Sequence, residues 1–97
     1  MLRHVVCLTL RDDTPPAAVE AIVDALRDLP ATIETIRSYS VGRDVGLADG
    51  NAHVAIVADF DDSAGWQHYQ EHPDHQRVIR ELIAPYKSAR SGAQFEV

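Results

Sequence analysis

The order in which the hydrophobic repeat changes period along the chain constrains the fold more than any other feature. An alternation of period two, which indicates a strand with one buried face, runs through four segments: 2–10, 35–42, 52–60 and 88–97. Apolar residues at helical spacing lie between the first two of these segments, and again between the third and the fourth. The sequence therefore predicts the element order β-α-β-β-α-β.

This order is that of the ferredoxin-like split βαβ plan, an α+β fold whose four-stranded antiparallel sheet carries helices on one face. With 97 residues, the chain has room for one hydrophobic core, so we expect a single domain over 1–97. The first helix is expected to begin with Thr14 as its N-cap and Pro15 as its first residue, and to extend as far as Pro30.

The face of the sheet away from the helices is expected to be apolar as well. In the first and third strands it carries Val5, Cys7, Ala55 and Val57, whereas a face exposed to water is usually polar. Packing against a second copy would bury these residues, which predicts a two-fold homodimer, a homodimeric α/β barrel with Cys7 in its interface. A monomer with a mildly apolar open face is the alternative.

Composition and charge exclude several classes of function. The formal net charge is −6 and lysine and arginine do not cluster, so the chain repels phosphate backbones and no nucleic acid partner is expected. No apolar run approaches the roughly 20 residues that cross a bilayer, and the first residues lack the features of a secretory signal. Together with the single Cys7, these features predict a cytoplasmic protein with no membrane partner.

The stretch "YQEHPDH", residues 69–75, concentrates the groups that are able to do chemistry. Pro73 must interrupt the helix, which makes His72 the cap of a new helix and places His75 in its first turn. The positive end of the helix dipole favours a neutral imidazole there, as a general base requires. The Tyr69 hydroxyl, one turn earlier, is placed to hold an enolate oxygen. The alternative is that the block only shapes a corner between two helices.

The first strand supplies a further candidate, His4, on the face predicted to meet the helices. His4, Tyr69 and His75 are expected to converge above an apolar floor. The residues predicted to form that floor are Val6, Leu8, Ile22, Leu26, Val54 and Ile56. An apolar pocket with a few convergent polar groups is typical of a small-molecule site, so a small-molecule ligand with an apolar body is predicted. The roles of base and hydroxyl donor considered for His75 and Tyr69 correspond to a metabolite that carries a carbonyl group.

Neither a metal nor a cofactor is predicted. His68 and His72 have the i, i+4 spacing of helical zinc ligands, but Pro73 removes His72 from regular helical geometry and no third ligand lies at a matching spacing. No Gly-rich phosphate loop, nucleophile elbow or dinucleotide fingerprint occurs in the sequence.

Four stretches of the sequence together resemble a known family: "RHVVCLTL", "VGRDVG", "ADFDDSAGWQHYQEHPDH" and the closing "FEV". They are similar to the stress-responsive A/B barrel (Dabb) domain, a family of dimeric α+β barrels, over nearly the whole chain. The resemblance implies one of two behaviours. Some members are stress-response proteins that assemble into larger oligomers, and others are cofactor-free polyketide cyclases that close a poly-β-ketone by aldol condensation.

For a cyclase-like member, the resemblance implies that His75 acts as the base, that Tyr69 assists it and that His4 lines the same cleft. Such members often carry an acidic residue before an aromatic one in the last strand, where this chain has Gln94. Gln94 is therefore the residue expected to orient His75, with Glu96 as a substitute. The leading hypothesis is a cyclase-like lyase or binder. The alternatives are a non-catalytic assembly protein and a cofactor-free or haem-related monooxygenase.

Overall fold

The computed structural model describes residues 1–97 and has the predicted order of elements. The strands are β1 (Leu2–Leu10), β2 (Ser38–Arg43), β3 (Val54–Phe60) and β4 (Lys87–Glu96). The helices are α1 (Pro16–Arg27), α2 (Ser63–Glu71) and α3 (Pro73–Val78), with a 3₁₀ turn at Leu29–Ala31 and a π-helical turn at Ile79–Ile83. The strands form one antiparallel sheet in the order β2-β3-β1-β4, so the ferredoxin-like α+β prediction is confirmed.

One face of the sheet forms part of the hydrophobic core, and the residues of β1 on that face are those that the alternation in the first strand predicts to be buried. His4, Val6, Leu8 and Leu10 of β1 are all buried, while the residues between them are partly exposed. β1 lies in the interior of the sheet, where it pairs with β3 on one side and β4 on the other. The α1 side chains that cover this face are Val19, Ile22, Val23 and Leu26.

The first helix starts one residue later than predicted. Pro15 has extended backbone angles and occupies the N-cap, and Pro16 is the first helical residue. The Thr14 hydroxyl donates instead to the carbonyl oxygen of Arg11 at 2.6 Å. The prediction that Thr14 caps the helix was therefore wrong. Pro15 and Pro16 are equally suited to the first helical position, and in the structure Pro16 occupies it, so the loop is one residue longer than predicted.

The break at Pro73 is confirmed in detail. His72 is the C-cap of α2 and the N-cap of α3, and its Nδ1 accepts a hydrogen bond from the backbone N–H of Asp74 at 3.1 Å. The sequence pattern indicated one continuous helix after Pro73. In the structure, α3 ends at Val78 and is followed by the π-helical turn. There the N–H of Ala84 donates to the carbonyl of Ile79 at 2.8 Å. Such turns occur frequently at functional sites.

The sheet face opposite the helices is apolar in its centre and polar at one end. Val5 and Val57 are paired across β1 and β3, and both are only partly exposed. At the end of these strands, the Asp59 carboxylate accepts hydrogen bonds from the Arg3 guanidinium at 2.8 and 2.9 Å and from the Ser38 hydroxyl at 2.9 Å. These bonds hold the pKa of Asp59 at about 2. None of the helices has the length and apolar character that a bilayer crossing requires.

Candidate functional site

A cavity of about 340 Å³ opens between β1, β4 and the corner formed by α2 and α3. Its apolar lining consists of Val6, Leu8, Leu26, Ile56, Ile79 and Ile83. Its polar lining consists of His4, Tyr69, Gln70, His75, Lys87 and Arg90. The size and the mixture of many apolar with a few polar groups are those of a small-molecule site.

Most of the predicted site residues line this one cavity, including His4, Tyr69 and His75. Ile22 does not. It is completely buried in the core beneath the cavity, because it lies one turn before Leu26 on α1 and points into the layer between helix and sheet. Val54 is likewise a core residue rather than part of the lining.

The His75 ring is held with one nitrogen free. Nδ1–H donates a long hydrogen bond of 3.4 Å to the carbonyl oxygen of Gln70, which fixes the neutral tautomer and leaves the lone pair on Nε2. His75 is buried, and this desolvation lowers the pKa of its imidazole below the usual 6.5. The ring is therefore a neutral base near pH 7.

The His4 ring has the opposite tautomer. The Gln94 side-chain amide donates from Nε2 to Nδ1 of His4 at 3.0 Å, so the ring proton of the neutral form resides on Nε2. Burial, together with the nearby charges of Arg90 and of a protonated His75, lowers the pKa of His4 to about 4. His4 is therefore a neutral hydrogen-bond donor near pH 7.

The prediction that Gln94 orients His75 was wrong. Gln94 lies directly opposite His4 in the pairing of β4 with β1, and cross-strand neighbours on one face are within contact distance. Glu96, the proposed substitute, also points away from His75, since its carboxylate lies 3.5 Å from the amino group of Met1.

Tyr69 connects the two histidines. Its ring centroid is 4.2 Å from that of His75 and 6.1 Å from that of His4. Its hydroxyl is 2.9 Å from the Tyr39 hydroxyl. Burial raises the pKa of both phenols, so both retain their protons. When Tyr39 donates to Tyr69, the Tyr69 proton stays available to a ligand.

Tyr39 was missed by the sequence analysis because nothing in its segment marks it as functional. We expect Tyr39→Phe to lower the free energy of unfolding by about 1–2 kcal/mol, since a buried phenol then loses its partner. The double variant Tyr39→Phe/Tyr69→Phe should lose less than the sum of the two single variants. Urea unfolding of all four proteins measures this coupling, and strict additivity would contradict it.

The other polar groups near the corner are used structurally. The His68 and His72 rings are 5.7 Å apart, but Nδ1 of His72 is occupied by its capping bond. No group of three or more histidine, cysteine or acidic side chains is arranged to hold a metal ion. Trp66 packs beside His4 with a centroid distance of 6.1 Å.

Comparison with known proteins identifies the family of this chain. The model of the stress responsive A/B barrel domain matches residues 2–97. The chain belongs to the Dabb family. No functionally curated protein is similar enough to be matched.

Solved structures of this fold extend the comparison. A dimeric ferredoxin-like protein of unknown function from Thermobifida fusca is 40% identical, with a TM-score of 0.90 over 99% of this chain and 90% of that chain. Hydroxynitrile lyase from Passiflora edulis is 14% identical, with a TM-score of 0.83 over 99% and 92%. An antibiotic biosynthesis monooxygenase is 14% identical, with a TM-score of 0.75 over 100% and 98%. The last two share the fold with this Dabb chain, and fold alone does not determine chemistry.

Proposed function

We propose that the cavity is a cofactor-independent site that removes a proton next to the carbonyl group of a small apolar metabolite, as in aldol-type cyclisation or a related lyase reaction. The observation that carries this proposal is the pair of complementary tautomers. His75 presents a lone pair on Nε2, and His4 presents an N–H on its own Nε2. Both rings are buried and neutral near pH 7.

The proposed step uses three side chains. The lone pair of His75 Nε2 takes a proton from the carbon next to the ligand carbonyl. The electrons of the broken C–H bond form the C=C bond of the enolate, and the carbonyl electrons move to oxygen. His4 Nε2–H and the Tyr69 hydroxyl donate to that oxygen and stabilise its charge. The enolate carbon then bonds to a second carbonyl carbon, whose oxygen takes the proton from His75, or the enolate carbon takes that proton back itself.

Two observations beyond the tautomers support this step. The apolar part of the lining suits an apolar ligand body, which would exclude water from the reacting atoms once it is bound. A hydroxynitrile lyase has the same fold, which is compatible with lyase chemistry on this scaffold.

The experiment that tests the proposal uses a neutral keto ester, methyl 4-oxo-4-phenylbutanoate. Its binding is followed by the NMR signals of the five histidine rings, and exchange of the hydrogens next to its ketone is followed in D₂O. We expect the His4 and His75 signals to shift together and exchange to exceed the buffer rate. If no histidine responds, the alternative of a non-catalytic assembly protein is favoured.

We also propose that the chain is a homodimer formed through the sheet face that carries Val5 and Val57. The T. fusca relative is described as dimeric, and the apolar centre of this face suits a second copy.

Val57→Glu is expected to weaken dimerisation at least about a hundredfold, because it would bury an unpaired charge at the centre of the interface. Sedimentation equilibrium at micromolar concentration measures the change. Ala17→Glu, on the exposed side of the chain near the start of α1, is the matched control and should stay dimeric. A Val57→Glu variant that sediments as a dimer would exclude this face as the interface.

A further inference from the structure

The mouth of the cavity is positively charged although the chain as a whole is acidic. Arg90 and Lys87 of β4 both line the cavity, in a chain with a net charge of −6. Neither side chain takes part in an ion pair. Other arginines do have acidic partners, as Arg3 has Asp59 and Arg37 has Asp61. Lys87 and Arg90 therefore bring two positive charges without acidic partners to the opening of this cavity.

The guanidinium of Arg90 folds back over the sheet. Its NH1 and NH2 atoms lie 3.2 and 3.4 Å from the place that a Cβ at Gly92 would occupy. Gly92 pairs with Val6 of β1, and the next position on the same face is Gln94, which pairs with His4. The absence of a side chain at Gly92 thus lets the guanidinium lie along β4 in the direction of His4.

The charge of Arg90 acts on the proposed catalytic groups. It contributes to the lowered pKa of His4 and of His75, and it opposes the rise in the pKa of Tyr69. All three groups are therefore within electrostatic reach of the guanidinium. Arg90 and His75 line the same cavity, so one ligand can contact both side chains.

We propose that Arg90, assisted by Lys87, binds a carboxylate on the ligand, so that the natural ligands are keto acids rather than neutral ketones. This inference rests on the proposed function of the same cavity. A guanidinium presents a planar pair of N–H donors that matches the two oxygens of a carboxylate. Lys87 adds a second positive charge, which attracts the same group without fixing its orientation.

The test compares two probes that differ only at the carboxyl group: 4-oxo-4-phenylbutanoate and its methyl ester. Calorimetry and the His4 and His75 NMR signals report their binding to the full chain. We expect the acid to bind about tenfold more tightly than the ester, the effect of one charge-assisted contact that is partly exposed to water. Inorganic phosphate at the same concentration should not displace the acid, and displacement would assign the cations to a phosphate group instead.

Variants of Arg90 identify the residue responsible. Arg90→Gln should reduce the affinity for the acid about tenfold and leave the affinity for the ester unchanged. Arg90→Lys should restore part of the loss, since it keeps the charge but not the planar donor pair. Arg80→Gln, at an exposed arginine outside the cavity, is the matched control and should bind both probes like the wild type.

The outcomes separate this inference from the proposed function. Equal affinity for acid and ester, or a preference that survives Arg90→Gln, overturns carboxylate recognition. If the ester still shifts His4 and His75 in that case, the proposed site stands. If neither probe shifts either histidine, both the proposed function and the inference are overturned.

Discussion

Replacement of His75 by glutamine is expected to lower the protein-catalysed exchange of hydrogens next to the ketone of methyl 4-oxo-4-phenylbutanoate by about 10²–10⁴-fold. Glutamine is close to imidazole in size and polar, but its amide has no basic lone pair near pH 7. The position is specific because Nε2 of His75 makes no hydrogen bond to the protein, while Nδ1–H is bound to the Gln70 carbonyl. The variant therefore removes the base and keeps a polar side chain in its place.

His68→Gln is the control for this experiment. His68 is exposed on α2 and does not line the cavity, so its replacement should leave exchange at the wild-type rate. Circular dichroism and sedimentation should show that both variants keep the wild-type fold and oligomeric state. Wild-type exchange in the His75→Gln protein would exclude His75 as the base.

Acidification is expected to destabilise the protein through His4. Its pKa is 6.5 in a model peptide and about 4 in the folded chain, so the unfolded chain binds the proton first as the pH falls. The stability that depends on neutral His4 is therefore fully present above about pH 6.5 and decreases as the pH falls from 6.5 to 4. A shift of this size corresponds to about 3 kcal/mol of unfolding free energy, a large share of the stability of a small domain.

The groups that surround His4 all disfavour the protonated form of its imidazole. Arg90 and a protonated His75 repel a charge on His4, Gln94 offers Nδ1 a donor, and Tyr69 and Trp66 contribute burial through their rings. His75 also has a lowered pKa and destabilises the fold in the same direction. Asp59, with a pKa of about 2, weakens the fold only at lower pH.

Urea unfolding at a series of pH values between 7 and 4 measures this loss. His4→Gln should show a smaller decrease in the free energy of unfolding over the range, because one of the two buried imidazoles is gone. His68→Gln is again the control and should follow the wild type. If the His4→Gln and wild-type curves remain parallel, His4 does not carry the acid sensitivity.

The two effects share one cause. The burial that keeps His75 and His4 neutral makes them useful as a base and a donor, and the same burial makes the fold sensitive to acid. A loss of exchange activity and a loss of stability are therefore expected on the same side of neutrality. The wild-type protein must be shown to remain folded wherever a decrease in rate at low pH is attributed to protonation of His75.

The sequence by itself determined the order of the elements, the family and most of the residues that line the cavity. Period-two alternation assigned His4 to the helix side of β1, and Pro73 assigned His72 to the cap and His75 to the first turn of α3. These assignments succeed because they depend on local rules: a strand alternates its faces, and a proline cannot continue a helix.

Only the tertiary structure decided which side chains meet across elements. The pairing of β4 with β1 places Gln94 in contact with His4 rather than His75, and it places Arg90 in the lining of the cavity. Packing of the helices on the sheet brought the hydroxyl of Tyr39 in β2 to that of Tyr69 in α2. Ile22 lies too deep in the core to line the cavity. Alternation fixes the face on which a residue lies but neither the register of its strand nor its depth. Both of these follow from how all the elements pack together.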